Sequence, residues 1–454
     1  MLFSVISTRK EGKSLSQINV SGKQLIFFIT CLFLARLGGL GLLSWADAAP
    51  VVADSSWYHP NGVEFSLKSA AELAGLAEIV NSGVSLRDKT IILAADIDLS
   101  PFATGSGWQA IGSQQNPFAG IFDAAGHTIT GLVIQQGISS SDARYLGLFG
   151  YVSGGSIQNL TLVEPQLSGY SQVAPLVGYM SSGVVHNCFA WDIYLLAGSG
   201  SGGLVGSLAS SSLGSCGVSG YISGSGDIGG LVGSLSGGAT IANSYSLAEV
   251  DGGTGGENIG GLVGVISGSA TQVTACYATG EVRGYNRVGG IVGGISGVAA
   301  TISHSAALSP SVQVVVNGPY AYAGRVVGYK ATAAVLEDNI AFQGMNGFPV
   351  VDDPGGRDGA TRSLEELQQS SAFPDPLVTS PWLYQEKRLP GLEGTTREMP
   401  PHLRLDEDPT EPPTAPPTAE PTAPPTQPPT APLTQPPTES PSPICVRVSD
   451  PDLP

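Results

Sequence analysis

A short motif of the type Gly-Leu-Val-Gly recurs through the middle of this chain. Its seven copies close on glycines that are spaced by 28, 28, 27, 31, 29 and 35 residues, namely Gly150, Gly178, Gly206, Gly233, Gly264, Gly293 and Gly328. A unit of this length cannot bury an apolar face by itself, and it becomes stable by stacking on its neighbours. The spacing therefore restricts the chain to a repeat architecture.

The composition of each repeat indicates which architecture. Short runs of Val, Ile and Leu are separated by Gly, Ser and Asn, and no repeat carries an apolar stripe with helical spacing. Equivalent strands of successive repeats can pair in parallel, about 4.8 Å apart. The sequence therefore predicts an all-β parallel β-helix, or β-solenoid, in which like residues form ladders. We expect the double glycines at tight corners, where positive φ or close backbone approach is required.

The repeats resemble a known motif. Copies such as Gly230–Gly233 look like the GLUG motif of bacterial cell-surface and adhesin-like proteins, and the upstream segment Trp108–Gly112 is similar to the region that precedes such repeats. The resemblance covers about residues 57–395. It implies a right-handed parallel β-helix and no particular ligand. Two departures, Pro175 in place of Gly and Arg325 in place of the hydrophobic residue, are expected to distort their turns.

The N-terminal segment predicts export. Residues 1–23 carry four basic residues and one acid, an apolar run follows over 25–43, and Ala46–Ala49 offers small residues for cleavage. Basic, apolar and small-residue regions in this order are typical of a signal peptide. The alternative is an uncleaved membrane anchor, because about 20 apolar residues can span a bilayer. Both interpretations predict a secreted or cell-surface protein.

The remaining boundaries follow from composition and pattern. An amphipathic helix is predicted over 69–80 and a second over 361–372, with Ser363 as its N-cap, one for each end of the solenoid. Residues 409–443 contain 15 Pro in 35 positions, which predicts an extended spacer without a core. The predicted domains are the leader (1–48), an N-terminal cap with the first coils (57–146), the repeats (147–345), a C-terminal cap (346–400) and a Pro/Thr-rich tail (401–454).

Charge and motifs exclude several functions. The net charge of −17 makes nucleic acid a poor partner, because phosphates repel an acidic surface. The sequence has no HExxH, GxSxG or GxxxxGK[ST] motif, so metalloprotease, serine hydrolase and P-loop functions have no support. The Gly-rich segment 252–258 lacks the Asp of a calcium turn and is predicted to be a loop. We expect no catalytic residue, metal site or cofactor.

Four residues are the best candidates for catalysis. Asp96 and Asp98 share one face of a predicted strand, because they are two residues apart. With Asp123 and His127 they could bind Ca²⁺ or act as acid and base, as in polysaccharide-cleaving β-helices. The alternative is that they cap turns of the first coils, which the family resemblance favours.

Three cysteines occupy comparable places in their repeats. Cys188 and Cys216 are 28 residues apart, one coil, so a disulfide between them is geometrically possible. A ladder of buried free thiols that includes Cys276 is the interpretation we prefer, because free Cys is usually buried.

Tyrosines are the candidates for binding. Tyr151, Tyr170, Tyr245, Tyr277 and Tyr285 could form an aromatic platform for carbohydrate or could pack laterally against other elements. The sequence alone does not establish which way they face.

These observations favour an adhesin-like solenoid that acts as a non-catalytic binding or structural module. Its expected partner is an extracellular glycan, a matrix protein or a cell-surface component. Contact with a membrane is expected only through the N-terminal segment, if that segment is not cleaved. The alternative is a polysaccharide-active β-helix enzyme, a lyase or glycoside hydrolase. Ice binding ranks last, because the repeats lack a regular Thr-x-Thr pattern.

Overall fold

The Gly-Leu-Val-Gly copies lead into seven strands that pair in parallel and in chain order. We call this sheet ladder one. Its central valines share one register, in which Val205 pairs with Val232 and Val232 with Val263. The strands are Phe149–Ser153, Val177–Ser181, Val205–Ala209, Val232–Ser236, Val263–Ile266, Val292–Ile295 and Val327–Lys330.

This is a computed structural model, and it describes residues 51–296, 299–315, 322–348 and 352–405. Within them the chain is mostly β and forms a parallel β-solenoid of about nine turns with little helix, which confirms the predicted fold. The predicted leader (1–48) and the Pro/Thr-rich segment (409–443) lie outside the described residues. Chain contacts divide the molecule into a unit that ends at Arg404 and a second from Leu405 to Pro454.

Each complete coil adds four further β segments, which stack as ladders two to five. Ladder two contains Glu64–Leu67, Thr90–Leu93, Ile121–Asp123, Ser212–Gly214, Thr240–Ala242, Thr271–Thr274, Ala300–Ser303 and Val335–Glu337. Ladder three contains Ile97–Asp98, Thr128–Thr130, Tyr245–Ser246, Tyr277–Ala278, Ala306–Ala307, Ile340–Phe342 and Ala360–Arg362.

Ladders four and five complete the coil. Ladder four contains Val133–Gln135, Glu249–Asp251, Val282–Gly284 and Val312–Val314. Ladder five contains Arg144–Leu146, Gly226–Gly229, Glu257–Gly260, Asn286–Gly289 and Ala323–Gly324. Four longer strands run through more than one ladder, namely Ser156–Val163, Gln166–Val173, Val184–Gly202 and Gly217–Ser223.

The double glycines are places of close backbone approach. A Cβ atom on Gly261 would lie 2.1 Å from the carbonyl oxygen of Gly290, and one on Gly230 would lie 2.0 Å from that of Gly261. The predicted close approach is therefore confirmed. Close approach is the property that these two glycines have, since neither Gly230 nor Gly261 has positive φ.

Positive φ lies instead at corners that carry side chains. The corner between ladders two and three has one such residue per coil, with φ between 49° and 57°, namely Asn159, Asn187, Ser215, Asn243, Ala275, His304 and Asp338. Asn and Asp tolerate this conformation because their side chains hydrogen-bond locally. At this corner the side chains also link neighbouring coils, since Nδ2 of Asn187 donates to Oδ1 of Asn159 at 3.0 Å.

The expected distortion at Arg325 is wrong, and so is its alignment. Val292 pairs with Val327, so Arg325 stands at the place of Gly290 and Val326 takes the apolar position. A side chain is tolerated there because the stack of double glycines ends at this coil. The expected distortion at Pro175 is also wrong, because Val177 pairs in register with both Phe149 and Val205.

The N-terminal helix is confirmed as Ala70–Asn81, with Ser69 as N-cap. The hydroxyl of Ser69 accepts from the N–H of Glu72 at 3.2 Å. Leu73, Leu76 and Val80 are buried in the same apolar core as the first strands.

The second predicted helix, 361–372, is wrong. Residues Ala360–Arg362 form the last rung of ladder three instead, and two 3₁₀ turns follow, Glu366–Gln368 and Ser370–Ala372. Ser363 does cap the first turn, since it accepts from the N–H of Glu366 at 3.2 Å. Pairing with Ile340–Phe342 takes up Thr361 and Arg362, two residues that the helix would need.

The C-terminal segment lies along the side of the solenoid. We call residues 363–404 the C-terminal strap. It covers ladder three, where the hydroxyl of Tyr277 donates to the carbonyl of Pro390 at 2.8 Å and Trp382 packs on Tyr245 and Tyr277. Strap and ladder share a second apolar cluster, separate from the core inside the coils. An antiparallel pair, Arg388–Leu389 with Arg397–Glu398, stiffens the strap.

Candidate functional site

Asp96 and His127 are the two catalytic candidates that the fold brings together. Oδ1 of Asp96 lies 3.1 Å from Nδ1 of His127 and accepts from the N–H of Thr128 at 2.9 Å. Both contacts hold the pKa of Asp96 below its ordinary value, and the hydrogen bond from the backbone of Thr128 contributes most.

The carboxylates of Asp98 and Asp123 accept hydrogen bonds from other residues and do not contact His127. Asp98 accepts from the N–H and the hydroxyl of Ser100, which lower its pKa. Partial burial would raise the pKa of Asp123, but hydrogen bonds from Asn159, Gln158 and the N–H of Ala125 outweigh it and keep the pKa low.

The arrangement of these carboxylates is that of turn caps. A general acid in glycoside hydrolysis needs a raised pKa, whereas all three carboxylates have lowered values. Each also accepts from a backbone N–H close to a turn or strand end. Among the described residues, no three or more His, Cys, Asp or Glu side chains form a group that could hold a metal ion.

The cysteines form the predicted ladder of free thiols. Cys188, Cys216 and Cys276 are fully buried and unpaired with one another, and Ser244 separates Cys276 from the other two. Their S–H groups donate to backbone carbonyls, at 3.1 Å for Cys276. Burial raises the pKa of Cys188 and of Cys276 to about 12, so these thiols are not reactive nucleophiles.

The five candidate tyrosines do not form one common platform. Tyr245 and Tyr277 stack with centroids 5.1 Å apart, but both are buried under the strap. Tyr151 stacks on Tyr179 on the outer face of ladder one. Tyr170 lies under a guanidinium, and Tyr285, although exposed, has no ring contact among the described residues.

A further stacked pair, Tyr194 and Tyr221, includes the most exposed tyrosine among the described residues. They occupy one register position on neighbouring coils of ladder four, and their rings stack with centroids 6.0 Å apart and 24° between planes. Tyr194 is 50% exposed. The two residues are 27 positions apart in the sequence, close to one repeat, which is the signal that could have identified them.

Polar side chains surround this pair, which we call the tyrosine platform. Along the same row Gln166 precedes Tyr194 and Glu249 follows Tyr221, and both are exposed. A second outward row runs beside it, formed by Ser168, Leu196, Ser223 and Asp251. The platform is thus an apolar surface with hydrogen-bonding groups at its edges.

No family model matches this chain. A curated protein of Evansella cellulosilytica, named "Putative Gly-rich membrane protein", is 32% identical over 101 residues, which are 22% of this chain and 11% of that protein. The chain therefore matches only about a tenth of that protein's length. Among the described residues, no helix has the length and apolarity needed to span a membrane.

Two solved structures are similar. One, from Bacteroides ovatus, is titled a putative immunoglobulin A1 protease. It aligns with a TM-score of 0.52 and 24% identity over 73% of this chain and 92% of that one. A second, "IgA1 Protease", has a TM-score of 0.40 and 14% identity over 70% of this chain and 26% of that one. The first similarity shows the β-solenoid fold alone, and the GLUG assignment stays a resemblance.

Proposed function

We propose that this protein is an exported, non-catalytic binding module that holds an extracellular glycan on the tyrosine platform. The observation that carries the proposal is the stack of Tyr194 and Tyr221 on neighbouring coils, in which Tyr194 is half exposed. A solenoid offers long lateral faces for binding, and this stack lies on the lateral face formed by ladder four.

The chemistry of the platform suits a sugar. One face of a pyranose ring presents several C–H groups, and the negative face of an aromatic ring attracts them. Neighbouring coils are about 4.8 Å apart, close to the length of one pyranose residue in an extended chain. Gln166 and Ser223 at the edges can hydrogen-bond the hydroxyls.

Two segments outside the described residues support an exported location. The basic, apolar and small-residue order over residues 1–49 is typical of an export signal. The Pro/Thr-rich segment 409–443 is typical of a spacer that holds a module away from its attachment point.

Polysaccharide cleavage is the second candidate, and the contact between Asp96 and His127 is the observation that favours it. Cleavage would release new reducing or unsaturated ends from a polysaccharide, whereas binding alone would not. Incubation of the full chain with each bound glycan, followed by an assay of such ends, separates the two functions.

A glycan array probed with the full chain tests the proposal. We expect saturable binding that the pair of changes Tyr194→Ala and Tyr221→Ala abolishes. The matched control changes the other outward stack, Tyr151→Ala with Tyr179→Ala, and should leave binding intact. Loss of binding only in the control, or binding that neither pair affects, would contradict the proposal.

A further inference from the structure

Resting on that proposed function, we infer that the glycan carries positive charge: it is a polymer of amino sugars with free amines, and it lies along the solenoid axis on ladder four. The inference comes from where the coils place their few charges and from the register of the outward row.

Acidic residues of the repeats are concentrated on this face. The segment 147–330 has seven Asp and Glu residues. Five of them lie on ladder four or on the turn that leads into it: Glu164, Asp192, Glu249, Asp251 and Glu281. Because the rest of each coil is nearly uncharged, ladder four carries most of the negative potential of the repeats.

Among the described residues, two arginines lie near this face. Arg283 lies 3.7 Å from Asp251 and is matched by that carboxylate. Arg144 donates to the carbonyl of Ser141 and places its guanidinium 5.1 Å from the ring of Tyr170. No Lys occurs between residues 90 and 329.

The register places stacking and charge in one line. The outward row reads Gln166, Tyr194, Tyr221, Glu249 and Glu281 on successive coils. At about 4.8 Å per coil, an extended chain of pyranose residues on this row would lie over the two tyrosines and place the next amines beside Glu249 and Glu281. An ammonium group is also attracted to the face of a tyrosine ring.

The phenol of Tyr221 experiences the charge of this face. Burial is the largest cause that raises the pKa of Tyr221. A hydrogen bond with Ser223 lowers this pKa, whereas the negative charges of Asp251 and Glu249 raise it further. The same field that disfavours a phenolate would disfavour a sulfate or uronate at this position and would favour an amine. Charge complementarity therefore selects amino sugars over acidic glycans.

The other occupant with this charge is a basic peptide. Peptides commonly bind solenoids and sheets by adding a strand to an open edge. Ladder four has neighbouring strands on both sides of the tyrosines, since Tyr194 pairs with Gln166 and Tyr221 with Glu249. The observations therefore favour a flat stacking ligand over a peptide.

The test measures the affinity of the full chain for two hexasaccharides of equal length, β-1,4-linked glucosamine and its fully N-acetylated counterpart. We expect the free amine to bind about tenfold more tightly at low salt, as a few partly exposed ion pairs would give. The variant Glu249→Gln with Glu281→Gln should remove most of that difference, and the control Glu337→Gln, exposed on ladder two, should not. The difference should shrink as salt is added.

The outcomes separate this inference from the proposed function. Equal affinities for the two hexasaccharides would overturn the inference, and so would a preference for the free amine that Glu249→Gln with Glu281→Gln leaves unchanged. In either case, tyrosine-dependent binding of a neutral glycan would still support the proposed function. Absence of glycan binding on the array would overturn both. A lysine peptide that binds the platform more tightly than the glucosamine hexasaccharide would identify a basic peptide as the occupant and overturn the inference.

Discussion

Nη2 of the buried Arg325 donates to Oγ1 of Thr361 at 3.0 Å and so ties the last coil of ladder one to the strand that closes the stack. The backbone takes part as well, because the N–H of Arg325 donates to Oδ1 of Asp358. Arg325 is therefore one of the residues that join the repeats to their C-terminal end.

Arg325→Met should lower the free energy of unfolding by about 2–4 kcal/mol, because it leaves buried acceptors without their donor. Arg325→Lys should also lower the free energy of unfolding, since an ammonium group cannot reproduce the guanidinium geometry. Thermal unfolding measures both, and limited proteolysis should cut the strap first. The control is Arg283→Met, on the surface of ladder four. Equal melting temperatures for the variants and the parent would contradict the role assigned to Arg325.

Trp382 should anchor the strap on ladder three. It is 5% exposed and packs on Tyr245 and Tyr277. Trp382→Ala should cost about 3–5 kcal/mol, the usual range for a buried Trp. The neighbouring Leu383, 44% exposed, provides the control, since Leu383→Ala should be nearly neutral in denaturant unfolding. Similar effects of the two changes would show that the strap does not depend on this contact.

The double glycines should not tolerate a methyl group. In Gly261→Ala the new Cβ would lie 2.1 Å from the oxygen of Gly290, so the coils must separate locally. We expect a loss of about 1–3 kcal/mol by analogy with overpacked cores. Gly255→Ala is the control, because nothing lies within 4 Å of its Cβ position. Chemical denaturation compares the two, and an unaffected Gly261→Ala protein would refute the close packing.

The buried thiols should make stability fall at high pH. The folded pKa of Cys188 and of Cys276, about 12, lies above the unfolded value near 8.5. Their contribution is therefore fully present below about pH 8.5 and is lost as pH rises towards 12. In a chain with Cys31→Ser and Cys445→Ser, a thiol reagent at pH 8 should modify no cysteine until the protein is unfolded. Rapid modification of the folded chain would contradict the burial.

The ionised carboxylate of Asp123 should stabilise the folded protein at neutral pH, and this stabilisation should be lost in acid. Its folded pKa is lowered, so the contribution is present above the unfolded value near 3.9 and disappears as pH falls through the folded value. Asp123→Asn should cost about 1 kcal/mol at pH 7, the net value of a typical hydrogen bond, and should flatten the acid side of the stability curve. Asp142→Asn, exposed on a loop, is the control. Unfolding curves between pH 3 and 7 decide the matter, and a pH profile that Asp123→Asn leaves unchanged would count against the cap.

The candidate site was harder to predict than the fold. The 28-residue spacing of Cys188 and Cys216 correctly predicted neighbours in a ladder, because spacing alone determines which residues stack. The candidate tyrosines included Tyr245 and Tyr277, which do stack, but the sequence could not show that the strap covers them. Tyr194 lies in a long strand whose outward side is visible only when the position of each corner is known.

The corners illustrate the same limit. The sequence left open whether the double glycines have positive φ or approach the backbone closely. Gly230 and Gly261 approach the backbone closely, whereas Asn187 and Asn243 adopt positive φ. A corner is imposed by the coil as a whole, and an Asn can meet it at modest cost.

The sequence by itself determined the solenoid, its repeat length and the identity of its ladders, because each repeat must seal the apolar face of the next and its strands can pair only with their equivalents. Only the tertiary structure decided which faces stay open. The strap returns over ladder three through contacts between residues more than 100 positions apart, such as Tyr277 and Pro390. No local pattern encodes such a contact, since it depends on the shape of two surfaces that exist only after the coils have formed.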